Sequence, residues 1–165
     1  MDGAAILTRL GERFGPSLLQ THAHRGDHTA VVAREAVLDV LGFCRDDPAL
    51  GLDMLMDLTA VDYLKHPGRE DGPRFEVVYH LYSLRHNHRL RLKTPVTEDD
   101  PVVPSVVPLW PIADWLEREV WDMFGIRFQG HPDLRRLLLY EEFVGHPLRK
   151  DYPVNRRQPL IGPKI

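Results

Sequence analysis

Two runs of alternating side chains set the strongest limit on the fold. Residues 75–84, FEVVYHLYSL, and 89–96, RLRLKTPV, both read as strands, and the intervening RHNH marks a tight return. In the second run Arg89, Arg91 and Lys93 alternate with Leu90 and Leu92, so one face looks inward and the other is solvated. A lone hairpin is marginal in water and needs further strands or a helical cover over its apolar face. An all-helical body would refute this reading, and the rest of the chain has to supply the cover.

Cover is available at the N-terminus. Ile6, Leu7, Leu10 and Phe14 recur at helical spacing until Gly15-Pro16 stops them, and residues 35–45 place Val37, Leu38, Leu41 and Cys44 on one side before Asp46-Asp47-Pro48. Thr29–Ala33 turns extended. From Leu50 to Ala60 every second residue is apolar, which predicts a strand over Leu55–Tyr63. KHPGREDGPR is a polar loop, Ser105 is placed to cap a helix, Ile112–Phe124 predicts a helix, and IRFQ alternates after it. The expected fold is α/β (α+β): a two-layer domain whose mixed sheet has strands near 29–33, 55–63, 75–84 and 89–95. Two N-terminal helices cover one face, and a C-terminal helix and an extended basic tail follow.

At 165 residues, 43% hydrophobic and 27% charged, the chain has the size of one soluble domain. Its single cysteine, Cys44, rules out an internal disulfide and a cysteine-ligated cluster within the chain. The first apolar run, in MDGAAILTRLGERFG, is broken by charge, and nowhere do eighteen apolar residues follow one another. The expectation is a cytosol-facing chain without a leader. The net charge of −3 gives no basic footprint for nucleic acid. It is unevenly spread. Residues 145–165 carry Arg149, Lys150, Arg156, Arg157 and Lys164 against Asp151, +4, so residues 1–144 carry 16 − 23 = −7. The chain divides into an acidic body, 1–144, and a proline-punctuated basic tail, 145–165, expected to lie on a partner.

The segment 117–139, EREVWDMFGIRFQGHPDLRRLLL, mixes charge with aromatic side chains. On a helical wheel Ile112, Trp115, Leu116 and Met123 share a face with Glu119 at its centre, so Glu119 is expected to be at least half buried and to need Arg135 or Arg136 as partner. Trp121 projects to the other side. Gly130-His131-Pro132-Asp133-Leu134-Arg135-Arg136 is echoed by Gly145-His146-Pro147-Leu148-Arg149-Lys150, two turns that present guanidinium groups to carboxylates, either the chain's own or a neighbour's.

These residues resemble the signature of the small hydrophilic-arm chain, the 30 kDa or C subunit, of proton-pumping NADH–quinone oxidoreductase, respiratory complex I. Every fixed position of that pattern is met from Glu117 to Arg136: Glu117, Arg118, Glu119, Trp121 (an aromatic position), Asp122, Phe124, Gly125, Phe128, His131, Pro132, Asp133, Arg135 and Arg136. LMDLTAVDYL and GHPLRKDYP extend the likeness over residues 50–155, and Trp121 and Leu137 are small departures from its usual types. The resemblance implies a peripheral, hydrophilic-arm subunit without a redox centre of its own. It would pack chiefly against the D-subunit homologue near the quinone-reducing end, on the cytoplasmic side of the bacterial inner membrane. FMN and iron–sulfur clusters would belong to partner subunits, and NADH and quinone would be met only through the complex. Related chains occur in membrane-bound hydrogenases and ferredoxin-linked complexes. His146, Arg149, Lys150, Arg156 and Arg157 are the expected docking residues of the tail.

Other chemistries find less support. There is no Gly-x-Gly-x-x-Gly or Walker loop. Asp57 with Asp62, or Glu117 with Glu119, make poor carboxylate pairs, the latter pointing about 200° apart on a helix. Cys44 lies on an apolar helix face, where thiols are inert. His22, His24 and His28 form H-x-H-x3-H in a polar stretch, a weak zinc pattern. Catalytic, cofactor and metal residues are all expected to be absent from this chain.

Overall fold

A computed structural model describes residues 2–159 and 161. Helix α1 (Gly3–Phe14) leads into the antiparallel pair β1 (Leu18–His24) and β2 (Asp27–Val32), then α2 (Val37–Asp46), β3 (Met54–Asp62), β4 (Phe75–Ser83) and β5 (His88–Val96). A short β6 (Val102–Pro104), α3 (Ala113–Phe124) and β7 (Arg127–Gln129) complete the regular structure. The five long strands form one mixed sheet in the order β1-β2-β5-β4-β3, and β6 and β7 pair in parallel beside it. The expected α+β architecture is what forms.

The 75–96 hairpin is the centre of the sheet. Its pairs run from Phe75 opposite Val96 to Ser83 opposite His88, and the turn closes with Asn87 at φ 51° and the Tyr82 hydroxyl donating to Asn87 Oδ1 at 2.6 Å. β1 and β6 are strands that the sequence pattern does not announce. β1 is exposed along most of its length, so it carries no burial alternation for a reader to find.

Inner rows of the sheet follow from the register. Leu55, Leu81 and Leu90 form one; Leu58, Tyr79, Leu92 and Ala30 the next; Ala60 and Val77 a third. All are buried in a single core shared with Ile6 and Leu10 of α1, with Val37, Val40, Leu41 and Cys44 of α2, and with Val120 and Phe124 of α3. Within α2 it is Val40, not the expected Leu38, that faces inward. On β3 the uniform alternation from Leu50 is broken by a bulge between Leu55 and Asp57. The extra residue moves Met54 and Met56 to the outside, 40% and 56% exposed, while Leu55 and Leu58 point in.

α1 starts at Asp2, whose side chain accepts the Ala5 amide at 2.8 Å. Ser105 is not the cap of α3: it is buried, and its hydroxyl accepts the Val107 amide at 3.3 Å in a preceding turn. α3 lies against the edge strand β3 and ends at Gly125 in the left-handed conformation, φ 76°.

Candidate functional site: the signature segment

The buried stripe of α3 is centred roughly 110° from the expected one, although Met123 of the expected face is in the core and Leu116 packs against it. Ala113, Glu117, Val120 and Phe124 face the core, while Ile112 and Trp115 are 52% and 56% exposed and Glu119 is exposed. The carboxylate expected inside at Glu119 is outside; Glu117 is inside instead. The reason is local: at position 117 the buried carboxyl meets the Val106 amide, which donates to Oε1 at 2.6 Å. The two glutamates do lie on opposite sides, as their spacing requires.

Asp122 organises the stretch that follows. Its buried Oδ2 accepts the amides of Leu137, Leu138 and Leu139 at 3.1, 2.9 and 2.9 Å, and Oδ1 accepts from Arg136 Nη1 at 2.6 Å. Burial would raise this carboxyl, but the three amides and Arg136 outweigh it and hold it below the usual carboxylate range. One turn earlier on the helix, Arg118 donates from Nε to the Arg135 carbonyl at 3.2 Å and from Nη2 to the Arg136 carbonyl at 3.1 Å. Arg136 in turn donates to the Phe143 carbonyl at 2.8 Å and stands over the Trp121 and Phe143 rings. Thus Arg136 pairs with Asp122, not with Glu119, and Arg135 forms only an exposed pair with Asp133, of a kind that contributes little.

The two Gly-His-Pro turns grip opposite ends of α3. His131, its side chain fully enclosed, accepts the Asp133 amide on Nδ1, so its proton sits on Nε2, which donates to the Asp114 carbonyl in the first turn at 3.2 Å. His146 Nδ1 donates to the Asp122 carbonyl near the last turn at 3.0 Å, and burial holds this imidazole below its ordinary range. A Cβ on Gly125 would stand 2.6 Å from the His146 ring, which is why the helix ends on glycine beside it. Pro132 is exposed and Phe128 is buried on β7.

The start of the tail is laid on the chain's own body. Leu148 N–H donates to the Met123 carbonyl and Arg149 Nε to the Phe124 carbonyl, at 3.1 and 2.6 Å. Lys150 N–H donates to Asp62 Oδ2 at 2.8 Å. Asp62, its side chain fully enclosed, also binds Arg74 through both oxygens, and Arg74 reaches Asp151 at 2.7 Å. Arg74 and Arg149 both stand over the Phe75 ring. The contacts of Leu148, Arg149 and Lys150 thus run from the tail onto the body. Arg156 and Arg157 are exposed, as are Leu138, Val144, Leu148 and Val154; Lys164 lies outside the described residues. Sequence reasoning misses Asp62 and Arg74 as a pair, because residues on separate segments of the sheet meet only through its register.

The rival chemistries are not assembled. Asp57 is exposed while Asp62 is buried. His22 and His24 share one face of β1, whereas His28 pairs with Ala23 on the other, against Gly3. Among the described residues no group of three or more His, Cys, Asp or Glu is placed to hold a metal ion. The Cys44 thiol is buried and pushed up to about 12. A cavity of about 350 Å³ lies away from the signature, on the outer sheet face between Met56, His80, Tyr82, Arg89 and Arg91. No helix among the described residues is long and apolar enough to cross a membrane.

Known proteins resemble the chain in sequence and in fold. Residues 30–158 match the family model "Respiratory-chain NADH dehydrogenase, 30 Kd subunit". The chain is 48% identical over 158 residues to the NADH-quinone oxidoreductase C subunit of Citrifermentans bemidjiense, covering 94% of each. It is 47% identical to the protein of the same description from Acidithiobacillus ferrooxidans over 88% of this chain and 72% of the relative. Among solved structures, the trypsin-resistant fragment (1-134) of Nqo5 superposes with a TM-score of 0.69 at 35% identity, covering 78% of this chain and 98% of the fragment. A chain of the membrane-bound sulfane sulfur reductase, an archaeal respiratory membrane complex, gives 0.73 at 25% identity, with 93% and 86% covered.

Proposed function

The chain belongs to the family of the 30 kDa subunit of respiratory-chain NADH dehydrogenase, and from that premise we propose that it serves the complex as a scaffold. It is the peripheral-arm 30 kDa subunit of NADH-quinone oxidoreductase, with other subunits of that complex as its partners. In this reading it carries no catalytic centre. FMN and iron–sulfur clusters sit in neighbouring subunits, electrons pass from NADH to quinone without touching this chain, and proton translocation is the work of the whole assembly. Its main neighbour is the D-subunit homologue, on the cytoplasmic face of the inner membrane.

One observation supports the scaffold role above the rest. Glu117, Arg118, Asp122, Arg136, His131 and His146 direct their polar atoms at the chain's own backbone or at one another, and so stiffen the segment rather than meet a substrate. What they hold in place is an outer surface of Ile112, Trp115, Leu138, Val144 and Leu148, each at least half exposed. Large apolar groups rimmed by arginine suit a protein partner. The likeness to a sulfane sulfur reductase chain keeps a second assembly in view. Purification of a tagged copy from its own cells separates the two: flavin and iron–sulfur subunits together with the D-subunit homologue are expected. Recovery of a complex without a flavin subunit would move the chain to the related membrane complexes, and recovery of the chain alone would defeat the scaffold reading.

A further inference from the structure

Among the described residues, the most deeply buried carboxylates are matched by cations, with one exception. Asp62 has Arg74, Glu76 has Lys93 and Arg69, and Asp122 has Arg136. Glu117, wholly buried, has none among the described residues. Its Oε1 receives the Val106 amide at 2.6 Å. Its Oε2 is enclosed without a hydrogen-bond partner, and so is the Tyr79 hydroxyl on β4, which lies close enough for charge on Glu117 to act on it. The remaining groups facing the carboxyl are the Ser105 hydroxyl and Asp114, one turn back on α3. Asp114 adds negative charge, and its own enclosed Oδ1 is met by His131 Nε2 only at 3.3 Å.

We propose that Glu117 stands in the folded chain as the neutral carboxylic acid, its proton on the enclosed Oε2, and that loss of this proton loosens the 105–106 turn from α3. An ionised carboxylate here would give up its hydration for one amide and a hydroxyl, with a second acid nearby, and a charge buried with so little compensation is strongly disfavoured. The neutral acid avoids that cost. Burial, with Asp114 adding to it, pushes the group up to about 7, the Val106 amide and Ser105 offsetting only part. The sign follows from linkage. A carboxyl raised above its ordinary value of 4.5 binds its proton more tightly folded than unfolded. Its contribution is therefore complete below that value, declines as pH rises through about 7, and is flat above.

The test follows the full-length chain labelled with ¹³C in its glutamate carboxyls, the Glu117 resonance being assigned by its loss in Glu117→Gln. Expected is a Glu117 titration near neutrality, well separated from the exposed glutamates. In denaturant titrations the folding constant of the wild type should fall relative to E117Q by on the order of a hundredfold from mildly acid to mildly alkaline pH. Exchange of the Val106 amide should rise in step. Should E117Q fail to fold, the titration is read in Tyr79→Phe, which keeps the carboxyl and should stay near neutrality. A Glu117 titration in the ordinary carboxylate range, or an E117Q stability profile parallel to the wild type, would overturn the proposal.

Discussion

Replacing Asp122 by alanine removes four donor contacts at once, three backbone amides and Arg136, and leaves a guanidinium that is only 15% exposed without its counter-charge. Each bond to a charged acceptor contributes about 1.5–3 kcal/mol, but they do not add, because the released loop can turn its amides to water. Breaking a buried pair from one side costs about 3–5 kcal/mol; taking about 4 kcal/mol as the working value gives about a thousandfold in the local opening constant. The sheet does not depend on this loop, so the loss should be local. Hydrogen exchange of the Leu137, Leu138 and Leu139 amides should accelerate by that factor while Val78 at the sheet centre is unchanged. Trypsin offers a second readout, since the carbonyls of Arg135 and Arg136, which it must attack, are the ones Arg118 holds. Asp122→Asn should fall between, keeping one oxygen but turning an NH2 toward Arg136. Because the carboxyl is lowered in the folded state, its contribution is present above the ordinary carboxylate range and disappears as pH falls through the folded value. Exchange at the three amides rising less than about tenfold in D122A would mean that the carboxylate does not order the loop.

Asp62→Ala should lower global stability by about 3–5 kcal/mol, read as a shifted urea midpoint with unchanged slope; a change under about 1 kcal/mol would show that Arg74 finds other partners. Cys44 should resist a thiol reagent in the native protein and react fully once denatured, so rapid native modification would contradict its burial. Trp115→Glu, and the pair Arg156→Glu with Arg157→Glu, should leave folding within about 0.5 kcal/mol yet lose a competition with wild-type chain for incorporation into the complex. Equal incorporation would remove these side chains from the partner surface.

Period-two alternation makes the central hairpin and β3 legible, because burial on one face repeats along a strand. β3 shows the limit. Its apolar pattern from Leu50 is uniform, but the bulge at Leu55–Asp57 changes which methionines see water, and no single-chain pattern records an extra residue in a pairing. The face of α3 fails for a related reason. A hydrophobic wheel puts Ile112 and Trp115 inside, whereas those residues face outward and Glu117 goes in where Val106 offers an amide. The identities of the signature residues can be read from sequence; that Glu117, Arg118, Asp122, His131 and Arg136 bind backbone cannot, since those carbonyls and amides belong to every residue alike. The tail's arginines show the same gap: Arg149 satisfies the Phe124 carbonyl, while Arg156 remains exposed.

The sheet contains a single parallel joint, residues 29–31 of β2 against 91–93 of β5, and this fixes an order of events during synthesis. The β1–β2 ribbon leaves the ribosome early, yet the strand that receives it is the last of the five to be made. Until β5 has appeared, Ala30 and Val32 on that ribbon cannot join the sheet's inner face, and the long closure makes their docking slow compared with the local β3–β4–β5 meander. A nascent chain stalled before residue 91 would thus expose an apolar ribbon edge, the kind of surface on which chaperones act and aggregation begins.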